Sequence, residues 1–82
     1  MADLKIRVYR GSDPAPDTTV TLPGGVLKIA SRLIPKQAIE ALQKEGIDLE
    51  EIMRLSENPE AHGVLVDVED HKKHERVVIS LE

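Results

Sequence analysis

The stretch Gly63–Glu82, GVLVDVEDHKKHERVVISLE, decides how this chain folds. Val64, Val66 and Val68 alternate with Leu65, Asp67 and Glu69, and Val77, Ile79 and Leu81 alternate with Arg76, Val78, Ser80 and Glu82. A period of two with one apolar face marks a half-buried strand, because successive side chains of an extended chain point to opposite faces. The charged run Asp70–His74 between the two halves reads as a turn. The stretch is therefore an antiparallel hairpin, with Val64, Val66 and Val68 on one face of its first strand and Val77, Ile79 and Leu81 pointing inward from its second.

The same pattern opens the chain. Leu4, Ile6 and Val8 alternate with Lys5, Arg7 and Tyr9, and Thr18, Val20 and Leu22 alternate with Asp17, Thr19 and Thr21. Between them Arg10–Asp17, with Gly11, Pro14 and Pro16, is a loop, since these residues favour turn geometry over a ladder. A second hairpin over 3–22 follows.

The centre, 24–57, has the helical period instead. Val26, Leu27, Ile29, Ala30, Leu33 and Ile34 make a wide apolar stripe, with Lys28 and Arg32 opposite. Pro35 disfavours helical geometry at Ile34 and suits the first position of a new helix. That helix, Pro35–Glu45, turns Ala38, Ala41 and Leu42 inward and stops at Gly46. Asp48 as N-cap with Glu51 three residues on reads as a capping box for a third helix, with Leu49, Ile52, Met53 and Leu55 on its apolar side. The expectation is one α+β domain over 1–82, ordered ββαααββ, with four antiparallel strands in two terminal hairpins (3–22 and 63–82) and helices packed on one sheet face.

Composition narrows the function. The chain has 82 residues, no cysteine, and a single aromatic residue, Tyr9, so its core is aliphatic and it has no disulfide or thiolate metal site. A domain this small and without large aromatic anchors gains much from burying surface against another copy, and a homodimer is expected. A further protein partner is the other candidate. Charged residues make up 32% and hydrophobic ones 40%, a globular balance with no apolar run of membrane-spanning length. The lack of cysteine and of an apolar leader points to the cytoplasm. A net charge of −4 argues against nucleic-acid binding. Residues 1–39 hold six bases against three acids, and residues 40–82 hold five against twelve. These halves attract each other, either within one fold or head to tail between subunits.

No constellation of catalytic residues emerges, and no enzyme, cofactor or metal is expected. The serines lack a nucleophile-elbow motif. His71 and His74, near Asp67, Asp70 and Glu75, resemble half a zinc site, but Lys72 and Lys73 lie between them and the ordinary reading is a solvated turn. Two surfaces remain. Leu27, Ala30 and Ile34 on the first helix form a candidate self-association surface. Lys28, Arg32 and Lys36, with the Gly24-Gly25 turn, form a candidate anion-binding face if the helix runs on through Pro35.

Ile34-Pro35-Lys36-Gln37-Ala38, Lys44-Glu45-Gly46-Ile47-Asp48-Leu49-Glu50-Glu51-Ile52 and Gly63-Val64-Leu65-Val66-Asp67-Val68-Glu69-Asp70 together resemble a group of small uncharacterised bacterial domains described as SHOCT-like. Such domains also occur at the start of adhesin-like β-repeat proteins. The resemblance implies a bacterial origin and an assembly role, and carries over no catalytic residue. The expected function is a protein–protein interaction or oligomerisation module; the alternative is an anion- or ligand-binding regulatory domain using the basic helix face.

Overall fold

The computed structural model describes residues 3–23, 31–58 and 60–82. Strands β1 (Leu4–Arg10) and β2 (Thr18–Leu22) form one hairpin, and β3 (Gly63–Asp70) and β4 (Glu75–Leu81) form the other. Between them lie a 3-10 turn at Ser31–Leu33 and the helices α1 (Lys36–Lys44) and α2 (Leu49–Glu57). The four strands make one antiparallel sheet in the order β2-β1-β4-β3. The first and last strands are thus the central pair, and the two hairpins are joined through them.

Register sorts the side chains into two faces. Leu22, Leu4, Leu81 and Gly63 form one row across the inner face; Val20, Ile6, Ile79 and Val66 form the next; Thr18, Val8, Val77 and Val68 the third. On the outer face Thr21, Lys5, Ser80 and Val64 lie side by side, then Thr19, Arg7, Val78 and Asp67, then Tyr9, Arg76 and Glu69. β4 is buried from Val77 to Leu81, as its apolar run Val77-Val78-Ile79 suits a strand flanked on both sides.

Strict alternation fails at one place. Val64 pairs with Ser80 and Val66 with Ile79, so Leu65 is an extra residue, a β-bulge. Val64 therefore lies on the outer face and is 64% exposed, while Leu65 packs against the core beside buried Val66. The expectation that Val64, Val66 and Val68 share one face holds only for Val66 and Val68. Three consecutive apolar residues leave the alternation ambiguous, and the bulge resolves it.

α1 packs on β1, β3 and β4, and its small inward residues Ala38 and Ala41 let it approach the sheet closely. Pro35 is its N-cap, extended at ψ 147°, and the Pro35 carbonyl accepts from the Ala38 and Ile39 amides at 3.0 and 3.1 Å. At the other end the Ile47 amide donates to Leu42 and the Gly46 amide to Gln43, closing a Schellman motif. Gly46 takes φ 68° there, a left-handed conformation that a side chain would strain. α2 buries Ile52 and Ser56; Ser56 Oγ donates to the Met53 carbonyl at 2.7 Å. Leu55 is exposed instead of joining that side.

Two helical expectations change. Asp48 is the N-cap of α2, but its side chain makes no cap hydrogen bond; its carbonyl accepts from Glu51 and Ile52 instead. Two α-helices, not three, stand among the described residues, so ββαααββ is not matched. Of the expected first helix, 26–34, residues 26–30 lie outside the described residues; its end is a 3-10 turn at Ser31–Leu33 followed by a bend at Ile34.

The core is wholly aliphatic: the inner rows of the sheet plus Ile34, Ala38, Ala41, Leu42 and Ile52. Burying one such side chain contributes about 1.5–3 kcal/mol. The bulge makes a direct prediction. Val64→Thr should change stability to urea by less than about 0.5 kcal/mol, as for an exposed site. Val66→Thr should lower it by about 2 kcal/mol, because a hydroxyl is buried in an apolar cluster. Equal costs at the two positions would restore strict alternation and remove the bulge.

Candidate interaction surface

The outer face of the sheet is held by short charged contacts. Arg7 Nη1 donates to Glu82 Oε2 at 2.8 Å, and Ser80 Oγ donates to the same oxygen at 2.7 Å. Arg76 grips Asp67 with both ends of its fork, Nε to Oδ1 at 2.9 Å and Nη2 to Oδ2 at 2.7 Å, and its guanidinium lies 5.5 Å from the centre of the Tyr9 ring. Val78, flanked in register by Arg7 and Asp67, is buried although it faces outward. At the open end of the inner face a charged row, Arg10, Glu75 and Asp70, replaces the apolar ones. Longer ion pairs there tie the second hairpin to α1: Lys44 to Asp70 at 3.9 Å and Lys73 to Glu40 at 3.7 Å. Arg7 and Arg10 belong to the basic half of the sequence, Glu82 and Glu75 to the acidic half. The attraction between the halves thus acts within the fold.

The candidate site residues fall as follows. Ile34 is buried in the core at 6% exposure, so it presents no open surface. Leu27, Ala30 and Lys28 lie outside the described residues. Arg32 and Lys36 are both exposed, but they sit on different elements separated by extended Pro35, so no continuous helix carries them as one stripe. Lys36 shares its surroundings with Glu40, Lys73 and Glu75, which balances the charge there. His71 Nε2 lies 3.5 Å from Glu69, and His74 sits in the turn with φ 54°. Among the described residues no group of three or more His, Asp or Glu is placed to hold a metal. The recess between α1 and the second hairpin encloses about 30 Å³, room for a water rather than a substrate.

Sequence reasoning missed the feature that most distinguishes this surface, the unlike edges of the sheet. β3 is an edge with a bulge at Leu65 and three carboxylates, Asp67, Glu69 and Asp70. β2, the opposite edge, is regular and uncharged, with Thr18, Thr19 and Thr21 exposed and Val20 half-buried. Bulges and charges keep a strand edge from pairing with another chain, and β2 has neither. The signal was present in TTVTL, a strand-forming run without Lys, Glu, Pro or Gly, but edge position follows from sheet order, which a strand's own residues do not encode.

Several carboxylates of this surface are held acidic. The Arg7 guanidinium, with help from Ser80, brings Glu82 from its ordinary 4.5 down to about 2. Arg76 lowers Asp67, and the amides of Lys73 and Lys72 lower Asp70. A carboxylate more acidic in the folded than the unfolded chain stabilises the fold above its unfolded value, and that contribution is lost as pH falls through the folded one. The melting temperature should therefore drop on acidification from about 4.5 towards about 2. Glu82→Gln should flatten that drop in a thermal melt followed by circular dichroism. An unchanged acid slope in this variant would show that the Arg7–Glu82 contact does not govern it.

The family profile described as YvlB-like protein, C-terminal domain, matches residues 3–80. No curated protein and no solved structure matches the chain. The family match overturns the likeness to SHOCT-like domains. The residues behind that likeness are a helix break at Pro35, a Schellman glycine at Gly46 and an edge strand, elements of local geometry that many folds share. No helix among the described residues is long and apolar enough to cross a membrane. With the match spanning nearly the whole sequence, the chain belongs to the YvlB-like protein C-terminal domain family.

Proposed function

We propose that this domain is an assembly module without catalytic activity, which associates with other copies by extending its sheet at β2. The observation that carries the reading is the contrast between the two edges. An edge strand offers a row of unpaired amides and carbonyls to any extended chain, and β3 is shielded by its bulge and carboxylates where β2 is not. The small aliphatic core supports it too, since a domain of this size has little stability to spare and gains from a partner. The absence of cysteine fits a reducing compartment such as the cytoplasm. The anion-binding alternative loses its main support with the split of Arg32 from Lys36 and the acids beside Lys36.

Light scattering over a micromolar to millimolar range tests the reading. The expected result is a mass that rises with concentration. The double variant Thr19→Lys/Thr21→Lys, which loads the edge with charge while leaving both side chains in solvent, should weaken association by at least about tenfold, because like charges facing each other across a strand pair repel. Its far-ultraviolet circular dichroism should match the parent. A monomeric mass at every concentration, or undiminished association of the lysine variant, would overturn the proposal.

A further inference from the structure

We infer that two copies meet β2 to β2 about a two-fold axis at Val20, making one continuous eight-stranded sheet with β3 at each outer edge; this rests on the assembly reading above and specifies its geometry. β2 is self-complementary when laid antiparallel on itself. With Val20 opposite Val20 of the second copy, Thr19 faces Thr21 and Thr18 faces Leu22. Each strand then uses all five of its residues. The faces agree as well: Thr19 and Thr21 both belong to the outer face, and Thr18, Val20 and Leu22 to the inner one. A slip of one residue would set outer side chains against inner ones, and a slip of two would leave pairs unmade. In the matched register the half-buried Val20 side chains become neighbours on the inner face. The threonines form cross-strand pairs, which are favourable in antiparallel ladders.

Charge selects the occupant and the stoichiometry. β2 carries no charge, so a second β2 meets no repulsion. β3 against a second β3 would oppose Asp67 and Glu69 to carboxylates of the same kind, and the Leu65 bulge interrupts its regular ladder. One usable edge per copy among the described residues closes the assembly at two, where a chain with two open edges would grow into a fibre.

Single introduced cysteines test this, because the chain has none of its own. Directly opposed residues of an antiparallel pair hold their Cβ atoms ~4.5–5.5 Å apart, near disulfide reach. Under mild oxidation Val20→Cys should form a disulfide-linked dimer about tenfold faster than Glu69→Cys on the other edge. Thr19→Cys mixed with Thr21→Cys should link faster than either alone. Where one variant misfolds by circular dichroism, the other set carries the test. Association with no preferential linking at these positions would overturn the Val20-centred β2-to-β2 register, while the lysine variant decides separately whether association uses β2 at all. A mass series running past the dimer would overturn the closed two-fold. A strictly monomeric protein would remove both.

Discussion

The pairing of β1 with β4 is the constraint on which the rest of the structure depends. It joins the first described residues to the last, Leu4 with Leu81, Ile6 with Ile79 and Val8 with Val77, and runs on through reciprocal backbone bonds between Asp3 and Glu82 at 2.9 Å each. Either hairpin alone is a two-stranded ribbon, marginal in water. Joined side by side they give an apolar face broad enough for α1 to cover. The contacts of this ladder are the most distant in sequence, so their loop-closure cost is the highest and their loss the least recoverable. With Tyr9 the only aromatic residue, and that one on the outer face, the aliphatic rows across the ladder supply the core.

The uneven charge of the chain serves the same join. Arg7 reaches Glu82 and Arg10 reaches Glu75, each crossing from the basic half of the sequence to the acidic half over the β1–β4 pair. Exposed pairs of this kind add little stability one by one. Both lie on the β1–β4 pair and add to the join there. Three further acids of that half, Asp67, Glu69 and Asp70, lie on β3, where they shield that edge.

Much of this was legible in the residues. The alternation of Leu4, Ile6 and Val8 and of Val77, Ile79 and Leu81 located two strands and their inward faces, because one side chain in two must be buried in such a sheet. Pro35 and Gly46 marked the limits of α1 through backbone chemistry that acts locally. Features settled by tertiary packing were not legible. The bulge at Leu65 hides in a run of apolar residues, and only the pairing with Ser80 and Ile79 reveals it. Ile34 looked like surface on an isolated helix but is drawn into the core once the chain bends ahead of Pro35. The candidate site was the least legible part. The apolar helix and the basic stripe were read from helical periodicity, whereas the open edge follows from which strands occupy the centre of the sheet.

An account in which β1 and β4 form the protected centre and β2 a free edge is tested most directly by amide hydrogen exchange read strand by strand at low and high protein concentration. It predicts slowest exchange in β1 and β4 at both concentrations, with protection appearing in β2 alone as concentration rises. Exchange in β2 that ignores concentration, or protection that rises in β3 instead, would contradict it.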